Sequence, residues 1–207
     1  MSMVLTPPEE SLTPEPVPEW LMPPPQGFTA EDLDRLTGLP PHTELIDGRL
    51  VLVGPQVDYH SLAIDLLVAG LRRQAPDTLR ARREMTVRLG NRQRPEPDLL
   101  MIRADADPGP KRTFYQPSDV LLVAEVVAEV VSEESAERDR KRKPQLYAKA
   151  GIPHFWLVEI VNAALEVHVY QLDEVTESYA PVGLYRDRLE LPTPFPMDID
   201  LTELRRM

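Results

Sequence analysis

From Asp119 to Val131 the chain reads Asp-Val-Leu-Leu-Val-Ala-Glu-Val-Val-Ala-Glu-Val-Val. So dense a run of valine predicts a buried strand, because branched side chains pack well on a pleated surface. Alternate strand residues share a face. Glu125 and Glu129 therefore point the same way, together with Leu121, Val123, Val127 and Val131. A carboxylate in such surroundings is costly unless it is paired or holds a cation. Glu125, Glu129, Glu133 and Glu137 also fall at helical spacing, which would make them an acidic stripe on a solvated helix. The valine density and the upstream Val-Leu-Leu-Val favour the strand.

With 207 residues the chain can build one medium domain with a real core. It has no cysteine, which excludes disulfides and cysteine-bound zinc and fits a reducing cytoplasm. No apolar run is long enough to span a bilayer. The N-terminus lacks the basic start and apolar middle of a signal peptide, so the expected location is cytoplasmic. The net charge of -11 argues against avid, nonspecific nucleic-acid binding. Basic residues nevertheless cluster at Arg80, Arg82 and Arg83, at Arg92 and Arg94, and from Arg138 to Lys143. Such patches can hold a phosphate backbone weakly, or within an oligomer.

Residues 1–26 are rich in Pro and Glu and are expected to form a disordered tail, with Trp20, Leu21 and Met22 as its candidates for docking. The domain proper is expected over residues 27–207. Thr29 resembles an N-cap with Asp32 three residues on, opening a short helix that ends near Gly38. Asp47-Gly48 between apolar alternations predicts a hairpin. Apolar spacing from Asp58 to Arg73 predicts a helix with one buried stripe. Residues 78–89 alternate as a strand, a further strand opens at Asp98, and residues 104–118 read as loop. After the valine-rich strand a helix runs to Ala150-Gly151. Strands follow at 154–160 and 164–172, and short terminal strands at 179–191.

Asp98, one of the two glutamates and Lys143 form an ordered set of charged residues. Two carboxylates on neighbouring strands can hold a divalent cation, and a lysine nearby can stabilise charge growing on a phosphate. Each has a plainer alternative: Asp98 as a turn cap after Pro97, Lys143 as a solvated lysine. The histidines at 42, 60, 154 and 168 lack zinc-ligand spacing, and no phosphate-binding loop or nucleophile elbow is present.

Glu44-Leu-Ile-Asp47-Gly48, His60, Arg94-Pro-Glu-Pro97-Asp98, Glu129-Val-Val-Ser132, Asp139-Arg-Lys-Arg-Lys143-Pro-Gln-Leu-Tyr147 and Phe155-Trp156 together resemble the Uma-two family. These are bacterial restriction-endonuclease-like proteins of the PD-(D/E)xK nuclease superfamily. The resemblance spans roughly Phe28 to Leu204. It implies an α/β (α+β) fold, a restriction-endonuclease-like mixed β-sheet flanked by helices. It further implies DNA phosphodiester hydrolysis with magnesium, manganese being the alternative ion. RNA is not distinguished from DNA, and a homodimer is open. Asp98 and Glu129 would be the ligands, Lys143 would orient water or stabilise charge, and Glu44 would sit near the metal. Tyr147 would pack on the sheet one turn beyond Lys143, and Pro144 would mark a kink or a helix start. His60 matches a family position and is equally readable as a core hydrogen-bonding residue. Glu44 is alternatively an exposed strand residue facing Arg49.

One departure from the pattern is a tandem Ala-Glu-Val-Val at 124–127 and 128–131. Register with Ser132 and Lys143 selects Glu129; counting along the strand from Asp119 selects Glu125. About 13 Å apart on an extended strand, the two cannot share one site. Glu133 also replaces the usual proline after Ser132. These changes keep a rival function in view: a catalytically inactive nuclease-fold module that binds nucleic acid or protein.

Overall fold

A computed structural model describes residues 18–106, 109, 111–128 and 133–207. Its centre is a six-stranded mixed sheet in the order Ser178–Tyr185, Ala164–Asp173, His154–Val161, Val120–Ala128, Leu99–Arg103, Leu79–Arg83. The chain enters through a turn at Glu19–Leu21 and a one-turn helix α1 (Asp32–Arg35). Then come the hairpin β1 (Glu44–Ile46) and β2 (Arg49–Val51), and helix α2 (Asp58–Gln74). The hairpin turn has Asp47 and Gly48 both at positive φ, 54° and 76°, the primed turn that Asp-Gly predicts. The N-cap is Glu31 rather than Thr29, and the helix stops at Leu36, short of Gly38; the Asp32 carboxylate instead accepts from the Thr29 backbone N–H at 2.7 Å and from its hydroxyl at 3.0 Å, tethering the turn before α1.

The strand expected over 78–89 is two strands, β3 (Leu79–Arg83) and β4 (Thr86–Val87). Glu84, at φ 51°, breaks the extension between them. β5 (Leu99–Arg103) follows Asp98, and the expected loop contains a short strand β6 (Phe114–Tyr115) pairing parallel with β4. The valine-rich segment is strand β7 (Val120–Ala128), as its composition predicts. Residues 129–132, including Glu129 and Val131, lie outside the described residues.

Helix α3 (Glu133–Glu137), a π-helical turn (Arg138–Arg142) and helix α4 (Lys143–Lys149) lead to β8 (His154–Val161), parallel to β7. Pro144 cannot donate to the turn before it, and the widened π turn lies immediately upstream. β9 (Ala164–Asp173) and β10 (Ser178–Tyr185) complete the sheet, and β11 (Arg188–Leu191) pairs with β12 (Met197–Asp200). β12 and the final turn Leu201–Arg206 extend past the terminal strands anticipated from sequence.

The two faces of the sheet carry separate cores. Leu122, Ala124, Val126 and Trp156 face α2 and the β11–β12 hairpin; Val123, Val127 and Phe155 face Tyr147 and Ile152. The expectation that Leu121 shares the face of Val123 is corrected by a bulge. Pairing slips between Met101↔Leu122 and Ile102↔Val120, which turns Leu121 toward the α2 side. Trp20 packs partly on a third cluster with Phe28, Leu36 and Leu45, so the described end of the expected tail is docked, while Leu21 and Met22 stay exposed. Among the described residues no helix is long and apolar enough to cross a membrane.

The contact of α2 with β12 allows no extra atom at Gly70. A Cβ there would lie 2.7 Å and 2.8 Å from Ile199 Cδ1 and Cγ1. Gly70→Ala is expected to lower stability by about 1–2 kcal/mol, the overpacking outweighing the helix propensity that alanine gains. Ile199→Val should recover part of the loss, and denaturant unfolding of the single and double variants checks both statements.

Candidate active site

Asp98 and Glu125 meet because of strand register. Leu99 pairs antiparallel with Ala124, so the next residues outward, Asp98 and Glu125, lie opposite one another. The Val126 backbone N–H donates to Asp98 Oδ2 at 2.6 Å and locks this arrangement. Glu125 is fully buried, and both its oxygens are engaged. Lys143 Nζ donates to Oε2 at 2.9 Å and the Tyr147 hydroxyl to Oε1 at 2.5 Å.

Lys143 is itself buried at the start of α4. Its ammonium lies 2.9 Å from Glu44 Oε1, 2.9 Å from Glu125 Oε2 and 3.0 Å from Asp139 Oδ1. This excludes the solvated-lysine alternative. Three carboxylates outweigh the burial that opposes its charge and push the Lys143 pKa well up. Burial, with Asp139, Asp98 and Glu44 nearby, pushes Glu125 up in spite of Lys143. Tyr147 is pushed up by burial and by Glu125, so it stays a donor. The expectation that Tyr147 packs on the sheet holds, with the added role of bonding Glu125.

Glu44 is buried on β1, and its Oε1 accepts from the Glu96 N–H at 2.7 Å. It pairs across the hairpin with Val51, whereas Arg49 pairs with Ile46, which corrects the facing of Glu44 and Arg49. His60, near the start of α2, puts Nε2 3.3 Å from Asp98 Oδ1. Burial opposes protonation there, but Asp98 overcomes it and the His60 pKa rises. Glu129, the ligand that register with Ser132 selects, lies outside the described residues.

Three further groups were missed from sequence. His42 Nδ1 lies 2.5 Å from Glu96 Oε1, and Glu84 lines the same cavity. Burial raises the Glu96 pKa, and the contact with Glu96 raises that of His42. Only Glu96 carried a signal, its place in the Pro-Glu-Pro just before Asp98. His42 and Glu84 sit at positive φ in connections that periodicity does not read.

These groups surround a cavity of about 450 Å³. Its described lining holds six carboxylates (Glu44, Glu84, Glu96, Asp98, Glu125, Asp139) against two permanent cations, Arg138 and Lys143. Among the described residues no three His, Cys, Asp or Glu side chains are grouped to hold a metal ion. Magnesium, however, takes one or two carboxylates and completes its shell with water. Two hard oxygen donors in a field of surplus carboxylate fit such an ion, and a cation would offset the burial and the neighbouring carboxylates that raise Glu125.

The basic clusters, by contrast, are mostly consumed within the fold. Arg83 is bonded to Asp65 and Glu84, and Arg142 to Asp47. Arg94 is buried against Asp34.

Among curated proteins no similar sequence is found. A crystal structure described as "a putative nuclease belonging to DUF820" from Anabaena variabilis ATCC 29413 matches with a TM-score of 0.64 at 15% identity. The match covers 86% of this chain and 97% of that one. The shared fold is the restriction-endonuclease-like one. The family model described as "Uma2: Putative restriction endonuclease" matches residues 30–203, nearly all of the described domain. On that match the chain belongs to the Uma2 family of nuclease-fold proteins.

Proposed function

We propose that this protein is a magnesium-dependent endonuclease that hydrolyses phosphodiester bonds of DNA. One observation carries the reading: Asp98, immediately before β5, lies opposite Glu125 of the adjacent β7, with the Lys143 ammonium on Glu125. Asp98 and Glu125 would hold the ion, Glu125 taking the part that register with Ser132 assigns to Glu129. When bound, the ion supplies a water of lowered pKa and polarises the phosphate.

The chain's own residues do the rest. His60 and the Val126 N–H orient the Asp98 carboxylate. Tyr147 orients Glu125 from behind. Glu44 and Asp139 keep Lys143 charged and aimed into the cavity, where its ammonium can bind an anionic phosphate oxygen or the attacking water.

The test is nicking of supercoiled plasmid. Cleavage is expected with magnesium or manganese and is expected to cease with chelator. Intact plasmid under all metal conditions would contradict the reading.

A further inference from the structure

A second cavity, of about 440 Å³, adjoins the one just described, and the two share Gly54, Pro55, Gln56, Ser135 and Arg138 as walls. Two observations single it out. First, among the described residues its two cations, Arg49 and Arg138, have no acid partner, whereas Arg88 pairs with Glu31, Arg94 with Asp34, Arg140 with Glu159 and Arg142 with Asp47. Among the described residues Arg49 forms no ion pair. Arg138 has a side-chain bond to Ser135 Oγ at 3.0 Å, and its Nε is buried without a partner. Second, part of the lining is apolar, formed by Leu50, Val51 and Val57, with Leu52 about half exposed beside them. Among the described residues Glu134 is the one acid in the lining.

Cationic forks and aliphatic side chains lining one cavity suit a nucleotide, with the guanidinium on phosphate and the base on the aliphatic surface. The volume is at ligand-pocket scale, roughly 300–1,000 Å³. Arg138 lies on the shared wall, so a strand whose scissile phosphate sits at Asp98 and Lys143 continues past it.

We infer that this cavity binds the nucleotide next to the scissile bond, with Arg138 and Arg49 gripping the flanking phosphodiester. The inference rests on the nuclease reading for the identity of the strand, but its test reads binding rather than cleavage. Fluorescence anisotropy of a labelled single-stranded 12-mer (about one to three site sizes for single-strand binders) is titrated with calcium in place of magnesium. DNA and RNA versions are run in parallel over a salt series.

Arg138→Ala is expected to weaken binding about tenfold, and Arg138→Ala and Arg49→Ala each to reduce the log–log salt slope by roughly 0.7, one phosphate contact on a single strand. Arg138→Lys should restore the slope but only part of the affinity, since lysine keeps the charge and loses the fork. Arg205→Ala, on the terminal turn, should match the parent protein. If Arg138→Ala fails to fold, Arg138→Lys and Arg49→Ala carry the test.

Unchanged affinity and slope in the Arg138 and Arg49 variants would overturn the inference, as would absence of oligonucleotide binding by the unaltered protein. Arginine-dependent binding without plasmid cleavage would leave the groove standing and remove the catalytic reading. Cleavage indifferent to both arginines would do the reverse. A difference between DNA and RNA binding tells which strand the groove prefers.

Discussion

Asp98→Asn and Glu125→Gln are each expected to reduce metal-dependent plasmid cleavage by about 10³-fold or more. An ion that polarises a phosphate supplies several kcal/mol of transition-state stabilisation, and each 1.4 kcal/mol or so is a factor of about ten in rate. Either amide keeps its side chain's shape and loses the anionic donor. Lys143→Met should cost at least about 10²-fold, the scale for losing a charge-stabilising donor. It also leaves Glu44, Glu125 and Asp139 without their shared cation, so its melting curve must be recorded beside its activity. Glu129→Gln separates the two halves of the tandem repeat. If Glu125 is the ligand, Glu129→Gln retains cleavage while Glu125→Gln loses it. The opposite pattern would move the ligand four residues along the chain.

The second large effect concerns stability and falls on Arg94. Only 3% of this residue is exposed, and its five N–H groups have five acceptors. Nε donates to Thr86 Oγ1 at 2.9 Å, one terminal nitrogen to Ala30 O and Asp34 Oδ2, and the other to Asp34 Oδ1 and Thr113 O. Its guanidinium also lies 4.9 Å from the Phe114 ring centroid. Arg94→Met removes all of this and leaves the carbonyl of buried Ala30 and the hydroxyl of buried Thr86 without their donor. The expected loss is about 2–4 kcal/mol, at roughly 1–3 kcal/mol for each buried group left unpaired, since Asp34, whose side chain is 41% exposed, is rehydrated. That is a large share of a stability of roughly 5–15 kcal/mol.

The site should loosen as well. The Arg94 backbone exchanges two hydrogen bonds with Leu45, the neighbour of Glu44, at 3.1 Å and 2.7 Å. The same pair sets a pH dependence. The hydrogen bonds from Arg94 hold the Asp34 carboxyl below its ordinary range. A depressed carboxylate contributes stability above its unfolded pKa of about 3.9, and that contribution is lost as pH falls through the folded value. Asp34→Asn should therefore flatten the stability curve below about pH 4, by an amount reduced by the partial exposure of Asp34. A variant whose acid limb matches the parent would exclude this pair as its source.

Local chemistry made much of the fold legible. Asp47-Gly48 specified its hairpin, the spacing from Asp58 its helix, and the valines of β7 their strand. Asp98 and Lys143 were visible because an acid opening an apolar strand and a lysine beyond the next one are ordered along the chain.

What stayed hidden depends on contacts between distant segments. Arg94 looks in sequence like one more phosphate-binding cation, yet it is committed to the core by Asp34, sixty positions away. The repeat left Glu125 and Glu129 equivalent in pattern, because strand alternation cannot tell positions four apart. Antiparallel pairing with β5 brings Glu125 to Asp98. Arg138 stood out only as part of a basic run and Arg49 gave no signal; the fold brings the two to one cavity.

Crystals soaked in manganese and measured for its anomalous scattering test the central claim most directly. The account predicts a peak in the cavity about 2.0–2.4 Å from carboxylate oxygens of both Asp98 and Glu125, with water completing the shell. Occupancy should disappear in Asp98→Asn. Density showing Glu125 still bonded to Lys143 and Tyr147, with no manganese beside Asp98 at saturating ion, would contradict it. The buried charges would then be a fold-stabilising network, and the catalytic assignment would fall.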